Sequence, residues 1–179
     1  MEWKKPEIFS PIVKSMNKLV IEESCSEIRI LDFLSSVDRE FTPFLSDKVD
    51  LSEYAHKLVK RAHSVFLVME GHDVGHAAYY SNDSQGREAF LTSICVKPEF
   101  RGSGLAEVLL ENVLQGAMND GMGKLSLEVD ARNQVAVRFY SKHGFNDCGN
   151  NQMVRHIAEE GSPGTAPGKN RSGKSSPHS

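Results

Sequence analysis

The stretch Arg101-Gly102-Ser103-Gly104-Leu105-Ala106 bears most directly on chemistry. It follows an apolar run that ends at Val96 and is stopped by Pro98. It leads into Leu105, Val108, Leu109, Val113 and Ala117 at helical spacing. Gly102 and Gly104 can take dihedrals that aim successive backbone N–H groups at one point, and a helix start adds unsatisfied donors and the positive end of its dipole. Such a turn, closed by Glu107 in the first helical turn, suits an anion, most simply a phosphate. A plain tight turn is the simpler alternative. A P-loop is excluded because no Lys-Ser/Thr follows the glycines, and a dinucleotide fingerprint would need glycine where Glu107 stands.

A second group lies downstream. Glu128 belongs to an alternating run, and Asn133, Ala136, Phe139-Tyr140 and Gly144-Phe145 follow. Tyr140 comes seven residues after Asn133, nearly two helical turns, so Asn133, Ala136 and Tyr140 share a stripe. Both polar ends are expected to face a cleft where two parallel strands part. For Glu128 the bland alternative is a solvated carboxylate paired with a surface lysine.

The elements that must position these residues can be read from periodicity. Residues 18–23 form a first short strand. Ser26 caps a helix to about residue 36, with Ile28, Ile30, Leu31 and Leu34 at helical spacing. Residues 41–50 form a loop broken by Pro43, and a second helix spans 51–62. Strands 64–70 and 74–80 make a hairpin about Gly71, His72 and Asp73. In strand 88–96, Phe90, Thr92, Ile94 and Val96 are expected on one face. The helix from Leu105 ends near Gly121 and Gly123, and a half-buried strand follows over 124–130. A helix over 133–143 ends at Gly144, which suits a left-handed conformation. Segments 145–148 and 152–156 close the domain. Strands 88–96 and 124–130 are joined by a helix and should run parallel.

The 179 residues make one domain's worth of chain, read as an extension over 1–17, a domain over 18–160 and a disordered tail over 161–179. Twelve of the tail's 19 residues are Gly, Ser or Pro. Without Lys169, Arg171 and Lys174 the body holds 18 Lys and Arg against 24 Asp and Glu, an acidic balance that disfavours a nucleic-acid partner. No run approaches a transmembrane span or a signal peptide. Cys25, Cys95 and Cys148 contain no CxxC pair, so a reducing cytoplasm is the expected setting and a zinc site is not. His72 and His76 are read as surface or packing residues rather than metal ligands. Tyr79, Tyr80 and Phe90 are read as core or sheet-face residues, and Trp3 has no evident purpose.

The sequence resembles the GNAT superfamily of acyl-CoA N-acyltransferases. Arg101, Gly104 and Ala106 match its phosphate-loop pattern, and Asn133, Ala136, Phe139, Tyr140, Gly144 and Phe145 match its later one without a gap. The order of elements from Lys18 to His156 also fits. The resemblance implies an α/β domain: a mixed sheet splayed between two central parallel strands and flanked by about four helices. It implies acetyl-CoA as co-substrate and no metal. It also implies direct transfer to a primary amine. The likeness of Glu128 to a base used on protein N-termini points to a protein acceptor, whereas the long, Pro-interrupted first helical region suits a small amine or amino sugar, which is preferred over a protein N-terminus or lysine. Backbone groups of Ile94, Cys95 and Val96 would pair with the pantetheine arm as with an added strand. Residues 102–107 would hold the pyrophosphate, and Asn133 would contact the arm. Tyr140 would protonate the leaving thiolate, and a backbone N–H near Cys95 would hold the oxyanion. Glu128 is the first candidate base, ahead of Glu88, Glu70 or water relays. Cys95 is expected to be a buried structural thiol rather than an acetyl carrier. The acceptor wall would be residues 38–50. A homodimer is left open, and the rival class is a binding module that keeps the cleft without turnover.

Overall fold

The computed structural model describes residues 19–157. Lys18, the extension with Trp3, and the tail lie outside them. The elements in chain order are β1 (Leu19–Glu23), α1 (Glu27–Val37), α2 (Leu51–Arg61), β2 (His63–Met69), β3 (His72–Asp83), β4 (Glu88–Val96), α3 (Leu105–Asn119), β5 (Lys124–Glu128), α4 (Gln134–Lys142), β6 (Asn146–Gly149) and β7 (Gln152–His156). The sheet order is β1-β2-β3-β4-β5-β7-β6. β4 and β5 run parallel, as their helical connection requires, and the other neighbours are antiparallel.

Local chemistry sets the helix starts. Ser26 Oγ accepts from Arg29 N–H at 3.3 Å, and Asp50 Oδ1 accepts from Glu53 N–H at 2.9 Å. Two apolar layers hold the sheet. On one face Ile30, Phe33, Leu34 and Val37 of α1 and Tyr54, Ala55 and Leu58 of α2 cover Phe66, Val68 and Ala78. On the other, α3 lays Leu105, Leu109, Leu110 and Val113 over Val65, Leu67, Ala77, Leu91 and Leu125.

The β2–β3 hairpin is tighter than expected. Its turn is Glu70-Gly71, with φ of +52° and +82°, and His72 and Asp73 already belong to β3. Two left-handed residues match the twist of the flanking strands. Within residues 38–50 the chain makes two short 3-10 turns, Asp38–Glu40 and Leu45–Asp47. The Asp38 carboxylate accepts from the N–H and hydroxyl of Ser46, each at 2.7 Å.

Two readings of the central strands need correction. Phe90, Thr92, Ile94 and Val96 do not share a face: the β3–β4 register shifts between Ala78 and Tyr79, which pair with Ser93 and Leu91. The extra residue, Thr92, reverses the alternation. Ala89 and Leu91 therefore face α3 before the bulge, while Ile94 and Val96 do so after it. Strand β5 stops at Glu128, short of residue 130, and Ser126 is buried along with Leu125 and Leu127. Asp130 instead closes a turn, accepting from Arg132 N–H at 2.9 Å and from Arg132 Nη2 at 2.6 Å.

Candidate active site

β4 and β5 pair from Glu88–Lys124 only as far as Leu91–Leu127. Beyond that point β4 continues to Val96, bonded to β3 on its other side, while β5 ends at Glu128. The strands part there, and among the described residues no strand lies beside the edge of residues 92–96. Such an edge can accept an extended chain. The bulge is braced from the opposite layer, where the Tyr54 hydroxyl and Thr92 Oγ1 lie 2.9 Å apart.

The glycine loop opens at the end of that edge. A 3-10 turn, Pro98–Phe100, leads out of β4, and Ser103 Oγ donates to the Phe100 carbonyl. Gly102 and Gly104 have φ of +73° and +84°. A Cβ would meet nothing within 4 Å at either position, so dihedral rather than space demands glycine. Gly104 caps α3 without a side chain, and the first helical bond runs from Val108 N–H to its carbonyl. The N–H groups of Leu105, Ala106 and Glu107 are thus the open donors of a four-turn helix. Leu105 is 1% exposed and anchors this start in the core.

The Arg101 side chain does not lie along the loop. Its Nε donates to the Val96 carbonyl at 3.1 Å, and its Nη2 lies 2.8 Å from Glu40 Oε2. One acceptor of the free β4 edge is therefore taken by the loop's own arginine.

Tyr140 is buried against Phe139 and Phe145, with ring centroids 5.3 and 5.5 Å away. Burial pushes its hydroxyl far above the ordinary tyrosine range, and the nearby Cys95 thiol adds to the effect. The Cys95 thiol is itself raised by burial, a rise that Arg101 opposes. A thiol held protonated is a poor nucleophile, which favours the structural reading of Cys95. Asn133 caps α4, its Oδ1 accepting from Ala136 N–H at 3.1 Å.

Glu128 is exposed at the end of β5, on the face shared with Ser126 and opposite Gln152 of β7. Among the described residues its carboxylate makes no hydrogen bond or ion pair, so the bland lysine pairing is not formed. Glu88 is paired with Lys124 at 2.7 Å, and Lys124 lowers its pKa, which weakens it as a base. Glu70 sits in the β2–β3 turn, with β3 and β4 between it and β5. His72 is exposed, while His76 packs between Phe33 and Phe66 and burial pushes its pKa down to about 3.

On the α1–α2 face, beside the parting strands, lies a cavity of about 310 Å³. Tyr80 and Phe90 contribute aromatic walls, with Asn82 and Asp83 at the end of β3 and Glu88 at the start of β4; Ser126 and Gln152 line it on the β5–β7 side. Sequence reasoning did not single out Asn82, Asp83, Ser126 or Gln152 for a site, nor the Tyr54–Thr92 contact. These groups meet only through strand register, which leaves no local signal.

Comparison with known proteins agrees with this geometry. The acetyltransferase (GNAT) family pattern matches residues 30–145. A provisional ribosomal protein bS18-alanine N-acetyltransferase of Bacillus subtilis (strain 168) is 30% identical over 126 residues, 68% of this chain and 80% of that protein. The thialysine N-epsilon-acetyltransferase of Bos taurus is 36% identical over 76 residues, 41% of this chain and 45% of that protein. The crystal structure of the ribosomal-protein-S18-alanine N-acetyltransferase from Escherichia coli superposes with a TM-score of 0.64 at 22% identity, covering 79% of this chain and 97% of that one. The parted parallel strands and the glycine loop thus sit inside the matched region, and the chain belongs to the acetyltransferase (GNAT) family of acetyl-CoA-dependent N-acetyltransferases.

Proposed function

We propose that the protein acetylates the primary amine of a small molecule by direct attack on acetyl-CoA in a ternary complex. The observation that carries the small acceptor is the braced wall at residues 38–50. Asp38 holds Ser46 by two bonds, and Glu40 is tied to Arg101, so the segment is closed on itself rather than open to a polypeptide. The Bos taurus relative, named for a small amino-acid amine, supports the same reading.

In this reading the free edge at Ile94, Cys95 and Val96 aligns the pantetheine arm. Gly102, Ser103 and Gly104, with the first-turn N–H groups of α3, take the pyrophosphate. Asn133 contacts the arm through the amide group that capping leaves free. Glu128, unpaired and exposed, takes the ammonium proton. A backbone N–H near Cys95 steadies the oxyanion, and Tyr140, kept protonated by burial, gives its proton to the departing thiolate. The parted sheet and glycine loop supply this binding from backbone dipoles, so an acidic body can still hold an anion.

A second reading, a protein N-terminus as acceptor, is favoured by the Bacillus subtilis relative named for bS18 alanine. Thiol release from acetyl-CoA, measured across amino sugars, polyamines, amino acids and an alanine-starting peptide, tests both. Turnover with the small amines is expected. Turnover confined to the peptide would establish the second reading, and tight acetyl-CoA binding without thiol release from any amine would overturn both.

A further inference from the structure

The β6–β7 hairpin reaches back to the chain that follows Glu128. Gly149 and Gln152 are partners, so the central residues of its turn are Asn150 and Asn151, with φ of +53° and +63°. Positive φ at both positions is the type I′ geometry, for which glycine is the least strained choice at the second. Asparagine tolerates the left-handed region and brings a side-chain amide that glycine lacks. Here that amide is used. The Asn151 carbonyl accepts from Val129 N–H at 2.8 Å, and its Oδ1 accepts from Ala131 N–H at 3.3 Å.

We infer that Asn151 is a positioning residue for acetyl transfer, whose grip on Val129 and Ala131 fixes the chain between Glu128 and Asn133; this rests on the reading of Glu128 as the base. The Glu128 carboxylate makes no hydrogen bond or ion pair among the described residues, so its direction is set by its own backbone. Pairing of β5 with β7 ends at Glu128 and Gln152, and the Val129 bond to Asn151 extends the ladder by one step. Past that step β5 has ended and the sheet gives the chain no further hold. The bond from Ala131 to the Asn151 side chain replaces it. Beyond Ala131 the loop is tied to itself: Asn133 N–H donates to the Asp130 carbonyl at 2.8 Å, and Gln134 Nε2 donates to the Ala131 carbonyl at 2.7 Å. A shift at Ala131 therefore passes both to the base and to the start of α4. The Ala131 bond is exposed to solvent, so its weight in stability is small. Its weight in rate is larger, because a base displaced by a fraction of an ångström loses its line to the proton.

Thiol release from acetyl-CoA, measured with saturating D-glucosamine, spermidine or an alanine-starting peptide, tests the inference with whichever acceptor turns over. Asn151→Gly keeps the left-handed turn and the carbonyl bond to Val129 and removes only Oδ1, so a merely structural role predicts the wild-type kcat. The inference predicts a kcat lowered about fivefold or more, with the urea midpoint at or above that of the wild type. Asn151→Asp returns an acceptor to the same place and should recover most of the rate. In a Glu128→Gln background nothing remains to be aimed, and Asn151→Gly should then change kcat by less than about twofold. Wild-type kcat in Asn151→Gly, an Asn151→Asp variant as slow as the glycine one, or the same fold-loss in both backgrounds overturns this assignment alone. A wild-type rate in Glu128→Gln, or thiol release with none of the three acceptors, overturns the reading of Glu128 and this inference with it.

Discussion

The guanidinium of Arg101 lies 2.8 Å from the carboxylate of Glu40, so the glycine loop and the segment 38–50 are joined by an ion pair. Its Nε holds the Val96 carbonyl at the same time. Both side chains are partly exposed, so the pair is worth at most about 1 kcal/mol. An incoming pyrophosphate would compete with Glu40 for the arginine. Glu40→Gln is therefore expected to tighten acetyl-CoA binding by up to about fivefold at low salt, with the gain fading at high ionic strength. Titration calorimetry at two salt concentrations reads this directly, and an unchanged or weaker affinity would mean that Arg101 does not turn toward the phosphates.

Glu128 stands unpaired at the point where β5 ends. If it takes the amine's proton, Glu128→Gln lowers kcat by about 10²- to 10⁴-fold and removes the acid limb of the pH–rate profile, with acetyl-CoA affinity retained. A variant with the wild-type rate and profile would move the base to a water relay.

Tyr140 is held protonated by burial, with Cys95 reinforcing the effect. Its fraction in the acid form should stay constant through neutral and mildly alkaline pH, so no alkaline limb arises from it. Tyr140→Phe is expected to cut turnover at least tenfold and leave the dissociation constant of acetyl-CoA within about twofold. Equal losses in both would assign Tyr140 to packing instead.

In the middle of α3, a Cβ on Gly116 would collide with the Tyr79 hydroxyl. Alanine would ordinarily improve a helix by about 1 kcal/mol, but overpacking costs about 1–3 kcal/mol. Gly116→Ala should therefore destabilise the fold in urea titration. The loss should shrink or reverse in a Tyr79→Phe background, and an equal loss in both would mean that the hydroxyl is not the obstacle.

His76 links stability to pH. Burial lowers its pKa to about 3, with Asp73 opposing and Arg29 adding to the shift, while the unfolded chain titrates near the ordinary 6.5. Between those values the unfolded state binds a proton that the folded state refuses. The neutral histidine's contribution is complete above about pH 6.5 and is lost as pH falls toward 3. Moving from pH 7 to 5 should cost about 2 kcal/mol through this residue. A His76→Leu variant should lose less over the same interval, and parallel losses would place the acid sensitivity elsewhere.

Features decided within a few residues were legible in the chain. Ser26 caps the helix that follows it, and Asn133 stands at the start of the helix that the spacing puts there. Gly102, Gly104 and Gly144 take the left-handed dihedrals their positions suggest, and the helix between β4 and β5 makes those strands parallel. Each depends on bonds spanning a few residues or on chain connectivity. Alternation along β4 failed as a guide because one inserted residue, Thr92, is visible only against β3.

From its residues alone the chain reads as an α/β fold with a glycine turn after its fourth strand and an Asn-to-Tyr stripe after its fifth. The tertiary structure alone decides where β4 and β5 part and that Tyr140 sits beside Cys95. It also decides that Arg101 turns to Glu40 and that Tyr80, Phe90, Ser126 and Gln152 line one open cavity. The physical reason is sequence distance. A cap or a left-handed glycine is settled by its immediate neighbours, whereas strand register and side-chain meetings across tens of residues are settled by the packing of the whole sheet.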